Sequence, residues 1–157
     1  MNTRQTIRRE IAPPPSAIPA GLPSPRTRIL VVDDDVYVRE LNAGVLIRSG
    51  YYVDTAADGV AAWQALHEDH YDLLITDEQM PWVTGLELIQ KLRAEANLLP
   101  VILASGLPPL DDLNRHPGLR IQAVVTKPCH LAELLQTVQT VLHEAKTSAA
   151  GSGLLAV

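Results

Sequence analysis

Cysteine is nearly absent. Cys129 is the single thiol in 157 residues, so no internal disulfide can form, and a reducing cytoplasm is the expected setting. No apolar run approaches the roughly 20 residues that a bilayer span requires, and the first thirty residues hold no apolar stretch of the secretory kind. Glycine-rich nucleotide loops are also missing. No G-x-G-x-x-G follows the first apolar run, and no G-x-x-x-x-G-K-[ST] occurs anywhere, so ATP is not an expected cofactor. Positive charge is scarce outside the N-terminus: the net charge is -5, yet residues 1–28 hold Arg4, Arg8, Arg9, Arg26 and Arg28 against Glu10 alone. The acidic remainder lacks the dense Lys/Arg surface that displaces phosphate counterions, which argues against direct DNA binding by the folded part.

The length suits one domain with a real core plus tails. A hydrophobic content of 46% with 20% charged residues fits a globular protein rather than a disordered one. Six prolines between residues 13 and 25 exclude a helix or central strand there. Residues 1–26 are therefore expected to be a disordered, basic, proline-rich leader, whose arginines read first as solubilising, with weak binding to an anionic surface and a targeting role left open. The folded domain is expected over 27–146. Residues 147–157, with the Gly151-Ser152-Gly153 run, read as a flexible tail.

Within the domain, short β-favouring runs alternate with segments of helical periodicity, the pattern of βα units around a parallel sheet. The expected strands are Ile29–Val32, Tyr51–Thr55, Asp72–Thr76, Pro100–Ala104 and Ile121–Val125. The first helix is expected to bury Val38, Leu41 and Val45 and to stop at Gly50. The second, starting near Asp58, should bury Val60, Trp63 and Leu66. A third spans Gly85 to about Ala94. Pro108, Pro109 and Pro117 confine the fourth to a stunted turn around Leu110–Arg115. Leu131, Leu134, Leu135, Val138, Val141 and Leu142 mark a long fifth helix. Such a chain forms an open, doubly wound α/β sheet whose ligand site lies beyond the carboxyl ends of the strands.

The residues at those ends are Asp33, Asp34 and Asp35, then Asp77, Ser105 and Lys127. Crowded carboxylates repel one another unless a cation joins them, and Mg²⁺ binds through one or two carboxylates while leaving positions for water and phosphate oxygens. A carboxylate nucleophile, a lysine and a hydroxyl donor beside such an ion form a set suited to phosphoryl transfer. Asp35 precedes the first helix and reads as its N-cap, outside the metal site. His67 and His70 lie three apart at the end of the second helix, where solvation and the helix dipole account for them better than a metal. Trp63 reads as core. Trp82 falls in the loop beside the acids.

The stretches "ILVVDDD" at 29–35, "DLLITDEQMPWVTGLELI" at 72–89, "PVILASG" at 100–106 and "VVTKP" at 124–128 resemble the receiver domains of two-component response regulators. The resemblance covers nearly all of residues 28–145. It implies a flavodoxin-like (βα)₅ fold, strand order 2-1-3-4-5, and a stand-alone, phosphorylation-dependent switch. By it, Asp77 is the phosphoacceptor and Asp34 a direct Mg²⁺ ligand, with Asp33 acting through water and the Gln79 main-chain carbonyl completing the set. Ser105 and Lys127 match the switch hydroxyl and the phosphate-binding lysine. A histidine kinase or histidine phosphotransfer protein would supply the phosphoryl group. Loops at 78–84 and 105–118 would respond, and an unknown downstream protein would read them.

Two positions depart from the family's commonest pattern. Val124 stands where an aromatic is frequent, so an aromatic rotamer readout is missing, and Cys129 stands where Phe is frequent, read as a small core thiol. Two other classes stay open: a phosphohydrolase with an aspartyl nucleophile, which would place that nucleophile on the first strand, and a phosphorylation-independent interaction module.

Overall fold

The structure, a computed structural model, describes residues 7–9 and 27–152, with no side-chain account of 7–9 and 152. The chain runs through β1 (Ile7–Arg9), β2 (Arg28–Val32), α1 (Val36–Arg48), β3 (Tyr52–Ala56), α2 (Gly59–Glu68) and β4 (Leu73–Asp77). It continues through α3 (Gly85–Ala94), β5 (Val101–Ser105), α4 (Leu110–Arg115), a 3₁₀ turn (Pro117–Leu119), β6 (Ala123–Thr126) and α5 (Leu131–Ser152). The sheet order is β1-β3-β2-β4-β5-β6. The last five strands of that row are parallel, in the expected 2-1-3-4-5 arrangement.

Alternation along the strands explains why they read as unbroken apolar runs. Leu30, Val32, Leu74 and Leu103 face one layer with α2 and α3, whereas Ile29, Val31, Leu73, Ile75 and Ile102 face the other with α1 and α5. Most of these side chains are fully buried. Each contributes about 1.5–3 kcal/mol of burial free energy, enough to fix the register of every central strand.

Several expectations change. Ile7–Arg9 adds a sixth strand, antiparallel to β3 with Arg8 opposite Asp54, although the leader was expected to hold no order. Main-chain pairing to an open sheet edge requires no hydrophobic pattern, and so leaves none to read. The rest of the leader, and 153–157, lie outside the described residues. The fifth helix does not stop at 146 but runs to Ser152. Ala149 and Ala150 favour helix, and Thr147 Oγ1 donates back to His143 O at 3.0 Å.

Two helix faces also differ. α1 buries Arg39, Ala43 and Leu46, leaving Leu41 57% exposed. Apolar residues occur all round this helix, so periodicity alone does not select the inner stripe. α2 buries Ala61, Ala62 and Ala65 while Val60 is exposed, because small side chains let the helix approach the sheet closely. Trp63 is half-buried and flanks the core. α4 has six residues, none buried, as the prolines require.

Candidate functional site

β2 delivers Asp33 and Asp34 to the carboxyl edge of the sheet, and neighbouring β4 delivers Asp77. Asp33 is 2% exposed and held at four points. Its N–H donates to Ala56 O at 3.2 Å, Oδ1 accepts from Asp35 N at 2.9 Å, Oδ2 accepts from Lys127 Nζ at 2.6 Å, and its carbonyl accepts from Arg39 Nη1 at 2.7 Å. Asp35 caps α1, accepting from Tyr37 N and Val38 N, and stays outside the cluster as expected.

Asp77 is buried at the end of β4, with Lys127 Nζ 3.1 Å from its Oδ1. Lys127 thus bridges the two buried acids. Burial raises the Asp77 carboxyl above its ordinary value, Lys127 opposes that shift, and Asp33 and Asp34 add to it. For Lys127, burial works against the ammonium, but the bonds to Asp33 and Asp77 outweigh it and the pKa is raised. The lysine therefore stays charged at neutral pH as an internal counter-ion.

Ligand oxygens of Asp33, Asp34 and Asp77 all lie within 4.8 Å of one another. Oxygens on opposite sides of a Mg²⁺ ion stand about 4 Å apart, so the donor set needs little adjustment to close round one. Two of the three are buried and Asp34 is exposed, which leaves the site open to solvent on one side. Gln79 lies two residues beyond Asp77 with an exposed side chain. Its loop is tied down at Glu78, whose N–H donates to Ala104 O at 2.9 Å, and whose carboxylate accepts from Leu86 N at 3.0 Å. Burial raises the Glu78 pKa, and the Leu86 bond opposes that.

Ser105 ends β5, fully buried, and its hydroxyl is engaged by Leu107. Oγ donates to Leu107 O at 2.8 Å and accepts from Leu107 N at 3.2 Å. Val124 on β6 is half-buried against the α2–α3 core, with no aromatic in its place. Trp82 is 70% exposed with φ 66°, an unusual conformation for a bulky residue, in the loop between Asp77 and α3. His67 and His70 do not converge: His67 Nε2 meets Glu95 at 3.0 Å, while His70 lies 4.0 Å from Asp72. Cys129 is partly buried against the α1–α5 core, where burial raises its pKa.

Two residues of the site escape the sequence reading. Arg39 lies on the buried face of α1 with Ala43 and Leu46, outside the stripe of Val38, Leu41 and Val45 that the sequence predicts as buried, so no local signal marks it. Gly85 opens α3 so close to β4 that a Cβ there would stand 2.4 Å from Asp77 O. Its place shortly after Met80-Pro81 was visible, but its reason is a tertiary approach.

The response regulator receiver domain profile matches residues 29–139, and the chain belongs to that family. It is 40% identical over 112 residues to response regulator RppA of Synechocystis, covering 69% of this chain and 47% of the relative. It is 34% identical over 122 residues to the probable transcriptional regulatory protein SilR of Salmonella typhimurium, covering 76% and 53%. The chain spans about half the length of these curated relatives. Among solved structures, the chemotaxis response regulator CheY4 of Vibrio cholerae superposes with a TM-score of 0.68 at 27% identity, over 74% of this chain and 98% of that one. A response regulator receiver protein from Pseudomonas putida gives 0.68 at 31%, over 73% and 97%. Among the described residues, no helix is long and apolar enough to cross a membrane.

Proposed function

We propose that this chain is a phosphorylation-dependent switch in which Asp77 accepts a phosphoryl group. The observation that carries the reading is Lys127, placed between Asp77 and Asp33 at the open carboxyl edge, with Asp34 beside them. Asp33, Asp34, Asp77 and the Gln79 carbonyl would hold Mg²⁺, which would supply charge neutralisation for the phosphate oxygens. An Asp77 carboxylate oxygen forms the new bond to phosphorus as the phosphorus–nitrogen bond of a phosphohistidine breaks, and the imidazole leaves with the bonding pair and takes up a proton. Lys127 pairs with the transferred group's oxygens, releasing part of its hold on Asp33.

Ser105 then has a choice of partners. Donation to a phosphoryl oxygen breaks its bonds to Leu107, which frees the segment carrying the exposed Leu107 and Leu110. Added negative charge at Asp77 also perturbs the 78–84 loop. The readout runs through these two loops rather than through an aromatic at position 124. The donor is a histidine kinase or histidine phosphotransfer protein of the cytoplasm, and the output is a downstream protein that recognises the rearranged face.

The test uses a small-molecule phosphodonor with Mg²⁺. A stable adduct is expected on the parent and on Asp33→Asn at reduced yield, and none on Asp77→Asn. Adduct loss in Asp33→Asn with retention in Asp77→Asn would favour a phosphohydrolase built on the first parallel strand. A phosphoryl mimic such as beryllofluoride should shift amide resonances at 78–84 and 105–118, and unchanged shifts there would sink the proposed readout.

A further inference from the structure

Arg39 stands on the buried face of α1, 8% exposed, and among the described residues it is the only buried Lys or Arg. Its neighbours on that face are Ala43 and Leu46, so packing alone would favour an apolar side chain. Burying a guanidinium is costly unless it is paired. Its Nη1 donates to the main-chain carbonyl of Asp33 at 2.7 Å.

That carbonyl belongs to the peptide that joins Asp33 to Asp34. The Asp33 side chain already has two partners of its own, Asp35 N and Lys127. Asp34 is different. Its carboxylate is exposed and takes no hydrogen bond from any described residue, yet it lies within the 4.8 Å cluster with Asp33 and Asp77. Its aim is therefore set by its backbone, and the peptide plane before it is fixed by Arg39 through the Asp33 carbonyl. The helix that carries the clamp is in turn anchored by Asp35, one residue beyond Asp34.

We infer that Arg39 is a positioning residue for the acidic centre: it locks the Asp33–Asp34 peptide so that the Asp34 carboxylate is presented to a divalent cation. This rests on reading the cluster as a Mg²⁺ site. Partners that orient metal ligands from behind typically account for about 10–100-fold in metal affinity, and Arg39 occupies such a place.

The experiment is a titration with Mg²⁺ alone, followed by tryptophan fluorescence and by calorimetry, on the full chain and four variants. Each is also unfolded in denaturant with chelator present. Arg39→Met, which keeps the stem and loses the donors, is expected to bind Mg²⁺ about tenfold more weakly. Arg39→Lys should fall between it and the parent. Leu46→Ala loosens the same helix through packing without touching Asp33, and should keep the parent's Mg²⁺ affinity although it is less stable. Parental affinity in Arg39→Met, or equal weakening in Leu46→Ala, would overturn the inference. Should Arg39→Met not fold, Arg39→Lys decides: weakened binding supports the clamp, and parental affinity overturns it. Asp34→Asn separates the two layers of the reading, because Mg²⁺ binding absent from the parent or unchanged in Asp34→Asn refutes the metal site itself.

Discussion

Lys127 shows how one side chain can hold a site ready. With Nζ at 2.6 Å from Asp33 and 3.1 Å from Asp77, it offsets the repulsion between two buried acids. Removing one preorganised donor from a developing anion costs about 10²–10³ in rate, so Lys127→Met is expected to slow phosphoryl uptake from a small donor by at least about tenfold, as read by intact-mass time courses. Uptake at the parental rate would remove Lys127 from the chemistry. Gly85 acts through space rather than charge: an added Cβ 2.4 Å from Asp77 O must push the main chain of β4 or α3 aside. Gly85→Ala should lower stability by about 1–3 kcal/mol in urea unfolding, and a neutral result would mean that α3 shifts freely. Asp33, Asp77, Ser105 and Lys127 were legible because strand ends can be located from apolar runs alone. Arg39 and Gly85 were not, because each owes its role to an approach between elements that no local pattern records.

Between elements, α2 and α3 are joined on their outer faces by a clasp. His67 Nδ1 lies 2.8 Å from Trp63 O and Nε2 3.0 Å from Glu95, the Trp63 and His67 rings are 4.3 Å apart, and Lys91 sits over Trp63. The bond to the Trp63 carbonyl, aided by Glu95, raises the His67 pKa above its ordinary 6.5. A raised folded value means that the contribution is fully present below the unfolded pKa and is lost as pH rises through the folded one. The stability difference between the parent and His67→Gln is therefore expected to be larger at pH 6 than at pH 8.5 in thermal melts. A pH-independent difference would show that His67 acts by packing alone. Helix existence was readable throughout, whereas helix orientation was not. α1 carries apolar residues on every side, and its rotation is set by the Asp35 cap and the Arg39 bond rather than by periodicity. α4 was readable as short because proline chemistry is local.

At the scale of the molecule, two layers of helices sandwich a sheet that is parallel except for β1, with its central strands buried on both faces, and the ends of β2 and β4 bring three acids together at its carboxyl edge. Leu103 on β5 is fully buried in the α2–α3 layer. Leu103→Ala should cost about 2–5 kcal/mol in denaturant unfolding, and a smaller cost would mean that the core relaxes around the site. The parallel order was legible from the alternation of runs and stripes, because the crossover rule leaves few topologies. β1 was not, since three residues added to a sheet edge by main-chain pairing leave no signature in composition. The chemistry proposed for Asp77 can be read directly. After reaction with a phosphodonor and Mg²⁺, borohydride reduction converts an acyl phosphate to homoserine, and peptide mass spectrometry locates it. Homoserine at position 77 is the expected result; homoserine at 33 or 34, or none under conditions that phosphorylate a related receiver, would contradict the assignment of Asp77 as the phosphoacceptor.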